Sequence, residues 1–222
     1  MEHIREKYQG TQNLERVSGP DLGTRRGALP LCRQIIADRL GIEIPEEDLA
    51  RCGWLDNPAP EEWGSYASRN NELCVRKGLR EWRLFDVVAH EFFHNLQHRV
   101  EGLFQHSKLG NSGSPEPAFE GRLFIEGSAV WAESHVVDAL AIRTALDYVN
   151  LRQGDEYAVG FQLFKWIEET YGVEGVLSFL RTGDVLEATS GEIATLEALF
   201  RRAGRSEEHT SDLHSPNTIS YA

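Results

Sequence analysis

The spacing of apolar residues predicts a chain built largely of helices. Between Leu31 and Leu40 the apolar side chains recur at about one helical turn, and Gly41 marks an end. A short helix over residues 44–49 follows. Residues 84–100 and 156–171 are predicted as helices in the same way, and residues 119–148 as one long helix or two. Gly172 is suited to end the helix over 156–171, before a short helix over 173–180.

Strand signals are confined to one short segment. Residues 72–77 alternate weakly between apolar and polar and precede Gly78, which predicts a strand. Residues 52–69 contain glycine, proline and aromatic side chains and are predicted as a loop, and residues 105–118 are predicted as a second loop. The balance predicts an α+β domain, mostly helical, with a small sheet.

The helix predicted over residues 84–100 contains a metal-binding pattern. His90, Glu91 and His94 form the sequence H-E-x-x-H. Residues four apart lie on one face of a helix, so the two imidazoles can point at a common Zn²⁺ ion. Glu91 is rotated about 100° from His90, which places it outside the ligand set but within reach of a metal-activated water as general base.

A catalytic zinc site normally takes three protein ligands and leaves one position open. Residues 122–133 form an apolar helical run that includes Glu126. A buried carboxylate is costly unless it is paired with a cation or bound to a metal. Glu126 is therefore the expected third ligand, and the sequence predicts a Zn²⁺ site at His90, His94 and Glu126.

These two segments resemble the gluzincins, the zincin metallopeptidases that combine H-E-x-x-H with a glutamate from a second helix. The second match is the run from Glu126 to Glu133, E-G-S-A-V-W-A-E, which resembles the aminopeptidase-like branch. The 31 residues between His94 and Glu126 exceed the family's usual gap, and the loop over 105–118 accounts for the excess.

The resemblance implies a zincin-like fold and a zinc-dependent peptidase that acts on a peptide or protein substrate. It also implies that the strand before the motif helix, residues 72–77, is a sheet edge beside the cleft, to which an extended peptide adds by backbone hydrogen bonds. Two alternatives stay open: a zinc hydrolase of a non-peptide amide or ester, and a non-catalytic peptide-binding module with a structural metal.

Other side chains are candidates for supporting roles. Asp86 lies one turn before His90, and Glu133 lies on the same helix face as Glu126, so either can orient a metal-binding imidazole. Cys74, ahead of the motif, offers an alternative His₂Cys ligand set, as in the deformylases. The oxyanion donor expected at such a site can come from several side chains: His135, Tyr148, Tyr157 or Tyr171.

Charge and composition narrow the partners and the setting. The net charge of −12 argues against tight binding to nucleic acid or anionic membranes. The sequence has neither an 18-residue apolar run nor a visible signal peptide, so we expect no membrane span. Three cysteines without C-x-x-C spacing favour a reducing, cytoplasmic setting.

The domain organisation follows from the same patterns. Residues 1–29 are polar and end in a glycine-rich stretch, which indicates a flexible lead-in. Residues 30–204 are predicted to form a single metallohydrolase domain. Residues 205–222 lack periodicity and resemble the translation of a sequencing adapter, so we exclude them from the predicted fold.

Overall fold

The computed structural model describes the helical and sheet regions on which the site depends. The described residues are 25–56, 58–60, 62–79, 81–100, 102–104, 119–141, 156–195, 198–199 and 201–202. Several predicted features fall outside them: the lead-in up to residue 24, the loop over 105–118, the part of the helical segment over 119–148 that follows residue 141, with Tyr148, and the tail over 205–222.

Helices dominate the described residues. They are α1 (Arg25–Leu40), α2 (Glu81–Arg99), α3 (Phe119–Ala139), α4 (Glu156–Thr182) and α5 (Val185–Ala188). The short helix predicted over residues 44–49 is a 3₁₀ turn over Glu46–Asp48. Helix α4 is broken at Gly172, whose φ of 73° is the left-handed conformation that glycine adopts readily. The predicted helix end at Gly172 is therefore confirmed.

A three-stranded sheet lies beside α2. The strands are β1 (Arg51–Trp54), β2 (Gly64–Ala67) and β3 (Glu72–Val75), in the order β1-β3-β2. Strand β3 pairs parallel with β1 and antiparallel with β2. Together with the helices of the described residues, this sheet confirms the α+β class. The predicted strand is confirmed at β3, but its predicted edge position is wrong, because β3 is paired on both sides.

The prediction of a loop over residues 52–69 is also wrong, because this segment contains β2 and most of β1. Gly53 and Gly64 obscure the strand pattern, yet each lies where a side chain has no room. A Cβ on Gly53 would lie 2.6 Å from Sγ of Cys74, and one on Gly64 would lie 2.4 Å from Cγ1 of Val87. These glycines are thus sites of close packing rather than loop residues.

Helix α1 is longer than the sequence pattern predicts. The structure places residues 25–29, assigned above to the lead-in, in the first turns of this helix. Ala28 and Leu29 are buried in the core. The burial of these side chains offsets the cost of the backbone hydrogen bond that Pro30 cannot donate inside the helix.

The core is formed where α3 lies between α2 and α4. From Gly127 to Ala139 every residue of α3 is buried, since the helix packs against α2, α4 and α1. Helix α2 contributes a set of fully buried apolar side chains: Phe85, Val88, Phe92, Phe93 and Leu96. Both helices that contain the predicted ligands are therefore fixed by the core.

A buried polar cluster joins α1, α3 and α4 on the far side of α3. Glu168 accepts hydrogen bonds from Nε1 of Trp131 at 2.8 Å and from Nε2 of His135 at 3.0 Å, and it pairs with Arg39. Burial, followed by the positive charge of Arg39, lowers the pKa of His135 to about 3. His135 is therefore a neutral part of the core.

No helix in the described part of the chain combines the length and the apolar character that a membrane crossing requires.

Candidate metal centre

Helix α2 presents the two motif histidines on one face. His90 and His94 lie one turn apart, and their Nε2 atoms are 3.2 Å from each other. Phe92 and Phe93, between them in sequence, are fully buried on other faces of the helix. The core thus fixes the direction in which both imidazoles point.

Helix α3 brings Glu126 to the same point. Its Oε2 atom lies 3.2 Å from Nε2 of His90 and 3.3 Å from Nε2 of His94. Among the described residues, these three form the group of histidine, cysteine, aspartate or glutamate side chains whose ligand atoms approach closely enough to hold a metal. We call His90, His94 and Glu126 the metal centre.

The second ring nitrogen of His90 is hydrogen-bonded to a carboxylate. Nδ1 of His90 lies 3.2 Å from Oε2 of Glu133, one of the two acids predicted to orient an imidazole. Because a carboxylate oxygen accepts, Nδ1 carries the proton and Nε2 keeps its lone pair. Glu133 therefore orients His90 with Nε2 directed at the metal centre, as an outer carboxylate commonly does.

His94 is oriented by Gln97, a residue that the sequence analysis missed. Nδ1 of His94 lies 2.8 Å from Oε1 of Gln97. The amide nitrogen of Gln97 donates to the backbone oxygen of Ile125 at 3.0 Å and to Oγ of Ser128 at 2.8 Å. These two bonds leave Oε1 as the acceptor for His94, so Nε2 of His94 also keeps its lone pair.

The donor set has the spacing of ligands around a metal ion. Two imidazole lone pairs and a carboxylate oxygen converge at separations of 3.2, 3.2 and 3.3 Å. In a tetrahedron with metal–ligand bonds of about 2.0–2.1 Å, neighbouring ligand atoms are about 3.3–3.4 Å apart. Two nitrogens, one oxygen and this spacing suit Zn²⁺.

The charged groups of the metal centre shift one another's pKa values. Burial disfavours the charged form of His90, but hydrogen bonds to Glu126 and Glu133 and the charge of Glu91 raise its pKa well above the ordinary value. Burial likewise opposes ionisation of Glu126, yet His90 and His94 hold its pKa well below the usual range. Negative charge in the centre therefore attracts a cation.

Glu91 lies beside the metal centre and outside its ligand set. Burial raises the pKa of Glu91, and the nearby charges of His90 and His94 oppose that rise. Strand β2 approaches its side chain closely, because a Cβ on Gly64 would lie 2.8 Å from Cγ of Glu91. A carboxylate with a raised pKa next to a metal can accept and return a proton near neutral pH.

Asp86 acts on His90 through Glu133. Asp86 is buried, pairs with Arg83 and hydrogen-bonds to Glu133. Burial, followed by the hydrogen bond and like charge of Asp86, raises the pKa of Glu133. Asp86 therefore acts on the carboxyl group that holds Nδ1 of His90.

The structure separates the candidates for an oxyanion donor. The ring of Tyr157 on α4 stacks on His90, with centroids 5.9 Å apart and planes inclined by 29°. The hydroxyl of Tyr171 donates to Glu192, and His135 belongs to the cluster around Glu168. Within the described residues, Tyr157 is thus the predicted candidate that contacts the metal centre.

Cys74, the alternative third ligand, occupies a different environment. It lies on the central strand β3, opposite Gly53 on one side and Ser65 on the other. It is not a member of the group that could hold a metal among the described residues. Glu126 is the acidic member of that group instead.

No family model, curated protein or solved structure matches the chain. Its function must therefore be inferred from the chemistry of the metal centre.

Proposed function

We propose that this chain is a zinc-dependent metallopeptidase of gluzincin type with a zincin-like fold. One observation supports the proposal above all others: Nε2 of His90, Nε2 of His94 and Oε2 of Glu126 converge at tetrahedral spacing, with Glu91 alongside. The H-E-x-x-H motif and the glutamate on a second helix are the family's pattern, found here on α2 and α3.

Each side chain has a distinct role in peptide hydrolysis. His90, His94 and Glu126 would hold Zn²⁺, which when bound polarises the scissile carbonyl and acidifies the attacking water. Glu91 takes the proton from that water and passes it to the leaving amine. The raised pKa of Glu91 favours this shuttle, since it brings the carboxyl closer to neutral pH.

Tyr157 is the proposed donor to the oxyanion that forms as water adds to the carbonyl. Its ring lies against His90, and 36% of the residue is exposed, so substrate can reach it. A donor placed in advance where charge develops is among the largest contributions to such reactions.

Substrate access is proposed along β2. The resemblance implies an edge strand beside the cleft, and in the described sheet β2 is an edge strand whose first residue, Gly64, packs against Glu91. An extended peptide can add to such an edge through backbone hydrogen bonds. This role replaces the one predicted for residues 72–77, because β3 is central.

The geometry favours a catalytic metal site over a structural one. A structural zinc is usually closed by four protein ligands, whereas the group found among the described residues supplies three. A purely structural site also has no use for the general base that Glu91 provides. A hydrolase of non-peptide amides or esters shares all these features and differs only in substrate.

The substitution Glu91→Gln tests the mechanism. It removes the proton acceptor and leaves the three ligands intact, so we expect normal zinc content and a loss of peptide hydrolysis of about 10²–10⁴-fold. The matched control is Glu169→Gln, which makes the same change at an exposed position on α4 and should keep full activity.

Zinc content by elemental analysis and cleavage of a peptide library are measured on both variants and the wild type. Full hydrolysis by E91Q would refute the mechanism. Cleavage of amide or ester substrates without peptide cleavage would favour the non-peptide alternative.

A further inference from the structure

Helices α3 and α4 touch backbone to backbone at two glycines. A Cβ built on Gly127 would lie 2.3 Å from Cα of Gly160, and one built on Gly160 would lie 2.4 Å from the backbone oxygen of Leu123. Carbon atoms in contact are normally about 3.5–4.0 Å apart. Even a methyl group at either position would therefore push the helices apart by about 1–2 Å.

This contact lies close to two parts of the proposed site. Gly127 directly follows the ligand Glu126 on α3. Gly160 is three residues after Tyr157 on α4, or about 4.5 Å along the helix axis. The separation of the two helices at the glycines therefore determines how near Tyr157 comes to the metal centre.

The stacking of Tyr157 on His90 depends on that separation. The two rings belong to different helices, α4 and α2, and α3 lies between those helices. A shift of α4 away from α3 moves Tyr157 away from the metal centre. The metal ligands themselves lie on α2 and α3 and can stay in place.

We propose that Gly160, through its backbone contact with Gly127, is a positioning residue that sets Tyr157 against the metal centre. This inference rests on the proposed function for the role of Tyr157 in the reaction. The placement itself is a property of the fold and can be measured without turnover.

The test uses the full chain with the substitution Gly160→Ala. The matched control is Gly175→Ala, on α4 beyond the break at Gly172, where a Cβ would lie 2.7 Å from Cβ of Tyr171 and 3.0 Å from the backbone oxygen of Ala188. Both variants crowd the same helix, but only G160A is next to Tyr157.

Fluorine NMR gives a readout independent of activity. The six tyrosines are replaced by 3-fluorotyrosine, and the Tyr157 signal is assigned by its absence from Tyr157→Phe. Zn²⁺ added to the metal-free protein should shift that signal in the wild type and in G175A, and the shift should be lost in G160A. Should G160A not fold, G127A places a Cβ at the same contact from the other helix.

Kinetics supply the second readout. Removing an oxyanion donor costs about 10²–10³-fold in kcat, which is the loss expected for Y157F. A displacement of about 1 Å can cost about 10²-fold, which is the loss expected in the kcat of G160A, with KM and zinc content nearly unchanged. If Gly160 acts through Tyr157, the double variant with G160A and Y157F should have a kcat no lower than that of Y157F alone.

Several outcomes would overturn the inference. A zinc-dependent shift that persists in G160A, losses that multiply in the double variant, or an equal loss of kcat in G175A would each do so. Loss of zinc from G160A would mean that the glycine contact holds Glu126 rather than Tyr157. If the Tyr157 signal of the wild type does not shift when zinc is added, Tyr157 does not contact the metal centre. A normal NMR result without any hydrolysis would refute the proposed function and leave the positioning role standing.

Discussion

Gln97 offers a sharp test of how the metal centre is held, because it orients His94 without binding metal itself. Its Oε1 lies 2.8 Å from Nδ1 of His94, and its amide nitrogen donates to the backbone of Ile125, the residue before Glu126. It therefore links the two helices that provide the ligands. The substitution Gln97→Met keeps the approximate shape and removes both the acceptor and the donor.

The expected loss follows from the hydrogen bond to His94. A buried donor left without an acceptor costs about 1–3 kcal/mol. Outer partners of metal-binding histidines typically contribute 10–100-fold in metal affinity, or about 1.4–2.7 kcal/mol. The two ranges overlap, so Q97M should bind Zn²⁺ about 10–100-fold more weakly than the wild type.

Two further variants separate orientation of His94 from general damage to the fold. Gln97→Glu keeps an oxygen acceptor for Nδ1 of His94 but loses the donors to α3, so its zinc affinity should exceed that of Q97M. Gln34→Met makes the same change at an exposed hydrogen bond on α1 and should leave affinity unchanged.

Competition with a chelating zinc indicator gives the dissociation constants, and thermal unfolding reports on the fold. The reasoning is refuted if Q97M binds Zn²⁺ as tightly as Q34M. Equal weakening in Q97E and Q97M would instead assign the effect to the bonds with α3.

Two more predictions concern the sheet and the buried histidine. Gly64→Ala places a Cβ against Val87 and Glu91, so kcat should fall by about 10²-fold while zinc content is kept; an unchanged kcat would show that Glu91 tolerates the displacement. Burial and the charge of Arg39 lower the pKa of His135 to about 3 in the folded chain, against 6.5 in the unfolded chain. Between these two pH values the unfolded chain therefore binds one more proton than the folded chain. Stability should therefore fall as pH drops below about 6.5, by at most about 1.4 kcal/mol per unit, until pH 3. The free energy of unfolding, measured with urea between pH 7 and pH 4, should depend less steeply on pH in His135→Gln than in the wild type. An equal pH dependence would contradict the lowered pKa of His135.

The parts of the site that were predictable from sequence depend on local geometry or on burial. The four-residue spacing of His90 and His94 fixes their common face on any helix. Glu126 could be found because a carboxylate in an apolar helix needs a cation. Gln97 was also within reach, since residues three apart on a helix are neighbours and His94 has a second ring nitrogen to satisfy.

Long-range contacts explain what the sequence pattern missed. A glycine such as Gly64 is typical of a loop, yet this one lies against Val87 and Glu91, which are more than 20 residues away in the chain. The central position of β3 depends on pairing with β1 and β2, whose patterns Gly53 and Gly64 obscure. Sequence periodicity records which face of an element is buried but not which element covers it.

The choice among four oxyanion candidates likewise needed tertiary structure. The sequence gives Tyr157, Tyr171 and His135 equal standing, because each lies in a helical segment after the motif. Only packing separates them: Tyr157 stacks on His90, whereas Tyr171 pairs with Glu192. The contact between Gly127 and Gly160, which places α4 near His90, also cannot be predicted from the helical period of apolar residues.

In the function proposed above, His90, His94 and Glu126 together bind one catalytic zinc. The most direct test is the zinc content of the purified protein after dialysis, compared with Glu126→Ala. We expect about one zinc per chain in the wild type and, in E126A, an affinity loss greater than the roughly 100-fold that outer partners contribute. Full zinc occupancy in E126A, or no zinc in the wild type, would contradict it.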